Sequence, residues 1–399
     1  MKIGVYLGAR MSTGGGFQYE LRIAKLLSIK ASEEYNFVFF SNDYEVYKKF
    51  KELGIKIIHI KENSLQKIYR LSLRNLIIFR IMKKLKIANN KINKFLTFHN
   101  IDLVYFLSPF ELAKDILSFS YITTCWDMLH REQPEFPELN FNKAYERREA
   151  LYSEILPKAV AVIVDSKFLG SQISRYYHVD KHRIYVLPFL PTLSTKENYA
   201  LIDIKKKYDI EEHYNYIFYP AQIIAEKNHI YILNALKILK DEYNIKIYAI
   251  FSGSNFGNLD YIESKANEFN IQDQIKYIGF VENSEIPSLY KNALALVMPT
   301  YCGPTNLPPL EAFSFECPVF YSDLPYFKEQ VGDAVFYIDL KNPRSLSLQL
   351  IQIIQNRNLI NEKIQKGKEL LKKWTDDDFW NRLKIIIDNY KFKQKSWKL

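Results

Sequence analysis

The chain has 399 residues, 48% hydrophobic and 15% aromatic, with 55 Lys and Arg against 45 Asp and Glu for a net charge of +10. This composition excludes disorder, and the length exceeds what one hydrophobic core serves, so two domains of just under about 200 residues each are expected. The start carries no apolar stretch of signal-peptide length and no run approaches the roughly 18 apolar residues of a membrane span, which gives a cytosolic reading. The cysteines Cys125, Cys302 and Cys317 are odd in number and lack CxxC spacing, which argues against a disulfide framework and a zinc site. The close pair His178 and His182 has no carboxylate ligand motif beside it and reads as solvated, so no metal is expected.

In chain order, a β-rich run at residues 2–7 leads through a glycine-rich loop (Gly14, Gly15, Gly16) into an amphipathic helix from about Phe17. Strands are expected at NFVFFS, KIIHI, DLVYFL, YITTC, AVAVIVD and RIYVLPF. Residues 65–94 hold nine Lys or Arg and no Asp or Glu, interleaved with Leu, Ile and Phe. They read as a basic amphipathic helix able to lie on an anionic membrane surface, or as a surface helix with a solvated basic side. No zinc-finger, helix-turn-helix or RNP-type pattern accompanies the positive charge, so nucleic acid is not an expected partner.

A linker is expected in FLPTLSTKEN, residues 189–198, where Pro, Ser and Thr gather. The opening pattern then repeats: a strand at residues 216–220, a loop, a helix from about Asn228, and strands at IKIYAIFSG, IKYIGF, ALALVMP, PVFYS and AVFYID. Continuous apolar runs suit strands covered on both faces, and two strand–loop–helix openings predict two doubly wound parallel sheets. The expected division is a first domain over 1–190 and a second over 191–375. Residues 376–399 form a last helix, acidic at its start and basic at its end, that is a candidate to pack back on the first domain.

Chemistry is expected where strands end, because there loops meet helix N-termini whose free N–H groups favour anions. In TYCGPTNLPPLEAF, residues 300–313, a strand ends in Cys-Gly-Pro-Thr-Asn and a helix begins on Leu-Pro-Pro-Leu-Glu. Proline is tolerated in a first helical turn, Thr305 or Asn306 is expected as its cap, and backbone amides near Gly303 to Asn306 are expected to face a ligand. Glu311, in the first turns of this helix, leans back toward that ligand as an acceptor for paired sugar or ribose hydroxyls.

The run from Pro299 to Asp339 resembles the donor-binding signature of the retaining group 1 (family 4-like) nucleotide-sugar glycosyltransferases, with a GPTN-type variant of the motif. The Gly-rich loop, TTCWDMLHREQPEFPE and YPAQIIAEKNH agree in order, so the resemblance spans nearly the whole chain. It implies an α/β fold of the GT-B type: two Rossmann-like doubly wound parallel-sheet domains facing across a cleft, acceptor-side first and donor-binding second. It further implies that Glu311 binds the nucleotide ribose and that Gly303, Pro304, Thr305, Asn306 and Leu307 hold the diphosphate and donor sugar. By the same resemblance Lys227 is expected to stabilise the departing diphosphate in place of a metal ion. By the same resemblance Gly14, Gly15 and Gly16 are expected to let the backbone approach the donor phosphates, and Val281 with Phe280 either flanks the base or sits in the core. Asp127 orients the acceptor hydroxyl or donor sugar, or serves as a plain helix cap, and Trp126 and His130 lie by the acceptor or donor sugar.

Three positions depart from the family pattern. Gly303 stands where a second glutamate is usual, eight residues before Glu311, leaving the Thr305 and Asn306 side chains as candidates for reading the sugar. Gln222 replaces the usual arginine five residues before Lys227, a loss of about 1.5–3 kcal/mol of phosphate binding unless another cation compensates. Trp126-Asp127 replaces His-Asp, with His130 nearby.

The resemblance implies front-face substitution, in which the leaving phosphate oxygen takes the acceptor's proton and no protein nucleophile is needed. It points to hexose transfer from a nucleotide diphosphate sugar to a lipid-linked or growing surface glycan such as lipopolysaccharide or capsule. Such an enzyme is expected to be cytoplasmic, peripheral at the inner membrane face through residues 65–94, and independent of cofactor or metal. Two alternatives stay open: a catalytically degenerate nucleotide- or glycan-binding scaffold of an assembly complex, and a sugar-nucleotide epimerase on the same fold. The absence of GxGxxG after the first strand, with no convincing acidic residue ending the second, argues against a nicotinamide dehydrogenase.

Overall fold

A computed structural model describes residues 1–62, 81, 90–116, 118–191, 200–303 and 306–397. Most of the basic stretch 65–94, most of the expected linker, and Pro304 and Thr305 lie outside the described residues. Two compact units emerge. The first comprises residues 1–135, 139–188 and 376–399; the second comprises 136–138 and 189–375.

The first unit is built on a seven-stranded sheet: β1 (Lys2–Tyr6), β2 (Asn36–Ser41), β3 (Ile57–His59), β4 (Leu103–Phe106), β5 (Tyr121–Thr124), β6 (Ala161–Val164) and β7 (Ile184–Val186), in the order β3-β2-β1-β4-β5-β6-β7. Every pairing is parallel, with Val5 opposite Phe39 on one side and Tyr105 on the other. The second unit carries β8 (Asn215–Pro220), β9 (Ile247–Ser252), β10 (Ile275–Tyr277), β11 (Ala295–Met298), β12 (Val319–Ser322) and β13 (Phe336–Ile338). These form a second parallel sheet in the order β10-β9-β8-β11-β12-β13.

The apolar runs explain this arrangement. The central strands β4, β5, β6, β9, β11 and β12 are buried at every residue, as strands covered by helices on both faces must be. Edge strands β7 and β10 are only half-buried. Each expected run contains a strand, and the ends are trimmed by local chemistry. IKYIGF stops at Tyr277 because Gly279 follows at φ 67°, outside any strand geometry. In the same way Gly14 alone takes the tight turn after β1, at φ 60°. The helix therefore starts at Gly15, two residues earlier than expected, and Gly15 and Gly16 belong to its first turn rather than to the loop.

The Asp376–Gln394 helix belongs to the first unit and is fixed there by charge and aromatic contacts. Asp376 and Asp377 pair with Arg22 and Lys30 of the Gly15–Lys30 helix. Tyr35 donates to Asp388 at 2.6 Å, and the Trp380 ring lies edge-on to Tyr35. Its acidic start thus meets a basic surface as well as its own helix dipole.

Both sheets reverse strand order once, between β1 and β4 in the first unit and between β8 and β11 in the second. The loops beyond these points are where a doubly wound sheet receives ligands. In the second unit, the loop after β9 is tied to the loop after β8: Ala221 N–H donates to Ser252 and Ile223 N–H to Ser254. Gly253 sits at φ 139°, and a Cβ there would lie 2.2 Å from the Ala221 carbonyl oxygen. Gly253→Ala should therefore destabilise the second unit by about 2–4 kcal/mol in urea unfolding. Gly257→Ala, at φ 104° with open space around it, should cost only about 1 kcal/mol. Equal losses at the two positions would remove the close-approach argument.

Candidate active site

The β8–β11 reversal brings together the two stretches that the sequence singled out. The loop after β8 carries Gln222 and a short 3-10 turn, Ala225–Lys227, and runs into the His229–Tyr243 helix. The loop after β11 carries Thr300 to Asn306 and runs into the Leu307–Ser314 helix. They are joined through the main chain: Tyr301 N–H donates to the Glu226 carbonyl at 3.0 Å. The Lys227 carbonyl is held by the Tyr219 hydroxyl at 2.9 Å.

Lys227 keeps 16% of its side chain exposed and places Nζ 2.9 Å from the Glu226 carboxylate. Burial opposes its charge, but the Glu226 carboxylate outweighs burial and holds the ammonium well above its ordinary pKa. An ammonium has three N–H donors, so the Glu226 pairing leaves two for a ligand. His229 is fully buried, 4.8 Å from the Tyr219 ring, and among the described residues neither imidazole nitrogen has a hydrogen-bond partner. Burial, then the Lys227 charge, pushes it down to about 3, so it stays neutral beside the ammonium.

Glu311 lies in the Leu307–Ser314 helix, 8% exposed, with Oε2 accepting from the Tyr290 hydroxyl at 3.2 Å. The expected cap and amide cluster need correction. Asn306 does occupy the N-cap position, but its side chain makes no capping bond. Its amide instead donates to the Tyr321 hydroxyl at 2.6 Å and the Gly303 carbonyl at 3.2 Å. That engagement also argues against its reading the donor sugar. The Asn306 N–H, expected to face a ligand, donates to Gln330 Oε1 at 3.1 Å, and the Cys302 N–H is taken by Thr300 Oγ1. The remaining donors are thus fewer than expected, which puts more weight on Lys227. Gln222 is half-buried in the loop after β8, and Leu307 opens the helix. Val281 packs in the second unit's core, whereas Phe280 beside it is exposed.

The backbone at Gly303 and the Asn306 side chain both disfavour a larger residue at 303. Gly303 adopts φ 95°, and a Cβ on it would come 2.9 Å from Asn306 Oδ1. A glutamate at 303 would strain this backbone and would require the Asn306 side chain to shift.

In the first unit, Asp127 pairs with Arg148 and accepts from the Leu129 N–H at 2.9 Å, while the N-cap position of the turn at residues 129–132 is Met128. Burial works to raise its pKa, but Arg148 outweighs this and holds the carboxyl below the usual range. Trp126 is edge-on to Tyr19, and its buried Nε1 has no partner among the described residues. His130 corrects the expectation of a sugar contact. It is fully buried, with Nε2 2.9 Å from the Tyr177 hydroxyl and rings of Tyr145 and Tyr152 against it. Burial and the nearby Arg148 push it down to about 4, so it is a neutral packing residue. Among the described residues no group of His, Cys, Asp or Glu is arranged to hold a metal, and the three cysteines are buried and form no disulfide.

Sequence reasoning missed Glu226, Arg148, Gln330 and Glu20. Glu20 left a readable signal, since it falls in the apolar stripe Phe17, Leu21, Ala24, Leu27 of its helix. It is fully buried and its Oε2 accepts from Gly8 and Ala9 N–H at 2.9 and 3.0 Å, fixing the loop after β1.

Residues 202–370 match the family model described as "Glycosyl transferases group 1". O-antigen chain mannosyltransferase B of Escherichia coli is 25% identical over 259 residues, 63% of this chain and 64% of that protein. The O-antigen chain mannosyltransferase RfbU of Salmonella typhimurium is 25% identical over 214 residues, 53% of this chain and 55% of that protein. The chain thus matches less than two thirds of the length of either relative. Among solved structures, Anabaena HepE in complex with UDP superposes with a TM-score of 0.69 at 14% identity, covering 97% of this chain and 99% of that one. WaaG, a glycosyltransferase involved in lipopolysaccharide biosynthesis, gives 0.68 at 15% identity, covering 96% and 98%. The fold is therefore that of the GT-B glycosyltransferases. Among the described residues no helix is long and apolar enough to cross a membrane.

Burial pushes the Glu20 carboxyl from the ordinary 4.5 up to about 8, against the pull of the Gly8 and Ala9 N–H groups. Between those values the folded chain holds a proton that the unfolded chain has released, so this contribution is present below pH 4.5 and lost as pH rises toward 8. Glu20→Gln keeps the acceptor and cannot ionise. Its melting temperature should fall less than wild type between about pH 5 and pH 8, and an unchanged slope would rule out Glu20 as the source.

Proposed function

We propose that the protein is a retaining glycosyltransferase, a reading supported by the match of residues 202–370 to the group 1 glycosyl transferase model and by the GT-B fold. It transfers a hexose from a nucleotide diphosphate sugar to a lipid-linked or growing surface glycan. The observation that carries the reading is the pairing, at the strand-order reversal of the second sheet, of a charged Lys227 with the loop that leads to Glu311. Mannose is the first sugar to test, because the two bacterial relatives are O-antigen mannosyltransferases.

In this reading Lys227 neutralises the charge that grows on the diphosphate as the glycosidic bond breaks, and Glu311, steadied by Tyr290, accepts from the ribose hydroxyls. The acceptor hydroxyl attacks from the face that the leaving group departs, and its proton passes to the leaving phosphate oxygen. Asp127 is an acceptor only, since Arg148 keeps it ionised, which suits it to orient a hydroxyl rather than to donate a proton. No metal enters the proposed step, because Lys227 supplies the positive charge. Contact with the inner membrane face through residues 65–94 is part of the same proposal and rests on their charge pattern.

The test is transfer from labelled UDP-, GDP- and dTDP-sugars, mannose donors included, to a lipid extract. Wild type should transfer at least one sugar with retention, a chelator should leave the rate unchanged, and Lys227→Ala should lose about 10²–10³ in turnover. Neither transfer nor donor hydrolysis with any donor would rule out the reading. Nucleotide binding without turnover would instead favour a scaffold, and interconversion of donors without acceptor an epimerase.

A further inference from the structure

We propose that Gln330 is a positioning residue for the nucleoside diphosphate, acting through the peptide that links Asn306 to Leu307. The inference rests on the donor reading above. Gln330 lies on the Pro325–Val331 helix and grips Asn306 from two sides. Its Oε1 accepts from the Asn306 N–H at 3.1 Å, and its Nε2 donates to the Asn306 carbonyl at 2.6 Å. Tyr321, on β12, closes the ring: its hydroxyl accepts from the Asn306 amide at 2.6 Å and donates to Gln330 Oε1 at 3.3 Å. The Tyr321 ring is itself fixed by stacking on Phe327, with centroids 4.0 Å apart.

Planarity of the peptide turns this grip into an aiming device. The Asn306 carbonyl and the Leu307 N–H belong to one rigid plane and point in opposite directions. A donor held on the carbonyl therefore sets the direction of the Leu307 N–H. That donor matters more here than in most helices. The next two positions are Pro308 and Pro309, which have no N–H, so Leu307 is the sole amide donor of the first three helical residues. A few tenths of an ångström or a tilt of this plane weakens the remaining hydrogen bond to an anion. The residues of the ring lie 15 and 24 positions from Asn306 in sequence and come from a strand and a separate helix. The loop's aim is thus set by the body of the second unit.

The experiment is calorimetric titration of UDP and GDP into the full chain and its Gln330→Leu, Tyr321→Phe and Lys227→Ala variants, with a thermal melt of each. Gln330→Leu should weaken the nucleotide bound by wild type about tenfold and raise the KM for the nucleotide sugar similarly, while kcat stays within about threefold. A merely structural role would lower the melting temperature and the active fraction and leave the dissociation constant and KM unchanged, and that outcome overturns the proposal. If Gln330→Leu does not fold, Tyr321→Phe carries the test, because it keeps the stacked ring and removes only the hydroxyl. About threefold weaker binding is then expected, and wild-type affinity overturns the proposal. The two readings fail differently: wild type that binds neither nucleotide removes the donor reading itself. Wild type that binds, with Lys227→Ala weakened and both ring variants unaffected, removes only the part given to Gln330.

Discussion

The hydrogen bond from the Tyr301 N–H to the Glu226 carbonyl is the joint on which the candidate site depends. It exists because β8 and β11 are neighbours in a sheet whose strand order reverses between them, so that two loops separated by more than seventy residues end side by side. One loop brings an ammonium, the other a helix start and a carboxylate. Neither has much meaning alone: a lysine in a short turn is ordinary, and so is a proline-rich helix start. Their chemistry comes from the parallel topology, which directs both loops to the same end of the sheet.

The charges at this joint are arranged by burial and pairing together. Lys227 remains charged because Glu226 is beside it, while His229 two residues later is neutral because burial and that same ammonium disfavour a second charge. The result is one fixed positive group at the edge of an apolar core, partly open to solvent. A preformed charge of this kind needs no reorganisation when a neighbouring group becomes more negative, which is the physical requirement for stabilising a departing phosphate. Asp127 and Arg148 in the first unit follow the same logic with the signs exchanged.

The sheets were legible in the sequence because parallel strands buried on both faces must be continuously apolar, and YIFY, YAIF, LVYF and AVIV have few other uses. Motif spacing pointed to the loops of Lys227 and Glu311, which the structure has after β8 and in the Leu307–Ser314 helix. The gaps lie where the contact is far in sequence or the environment decides the role. Nothing local in YFKEQV marks Gln330 as the partner of Asn306, since the pairing depends on how a helix sits over a strand end. His130 and Asn306 carry side chains suited to ligands, but buried rings occupy the first and Tyr321 the second. Gly303 read as a missing carboxylate; the structure adds a φ of 95° that favours glycine there and an Asn306 amide packed beside it. The polar stretches flanking these elements obey no periodicity, and the basic segment 65–94 lies largely outside the described residues.

The most direct test of this account is a crystal structure of the protein with a bound nucleoside diphosphate. The account predicts the diphosphate within hydrogen-bonding distance of Lys227 Nζ and the Leu307 N–H, with the ribose hydroxyls on Glu311 and the Asn306–Gln330 pair intact. A nucleotide seated away from the β8–β11 loops, with Lys227 bonded to Glu226 alone, would contradict it.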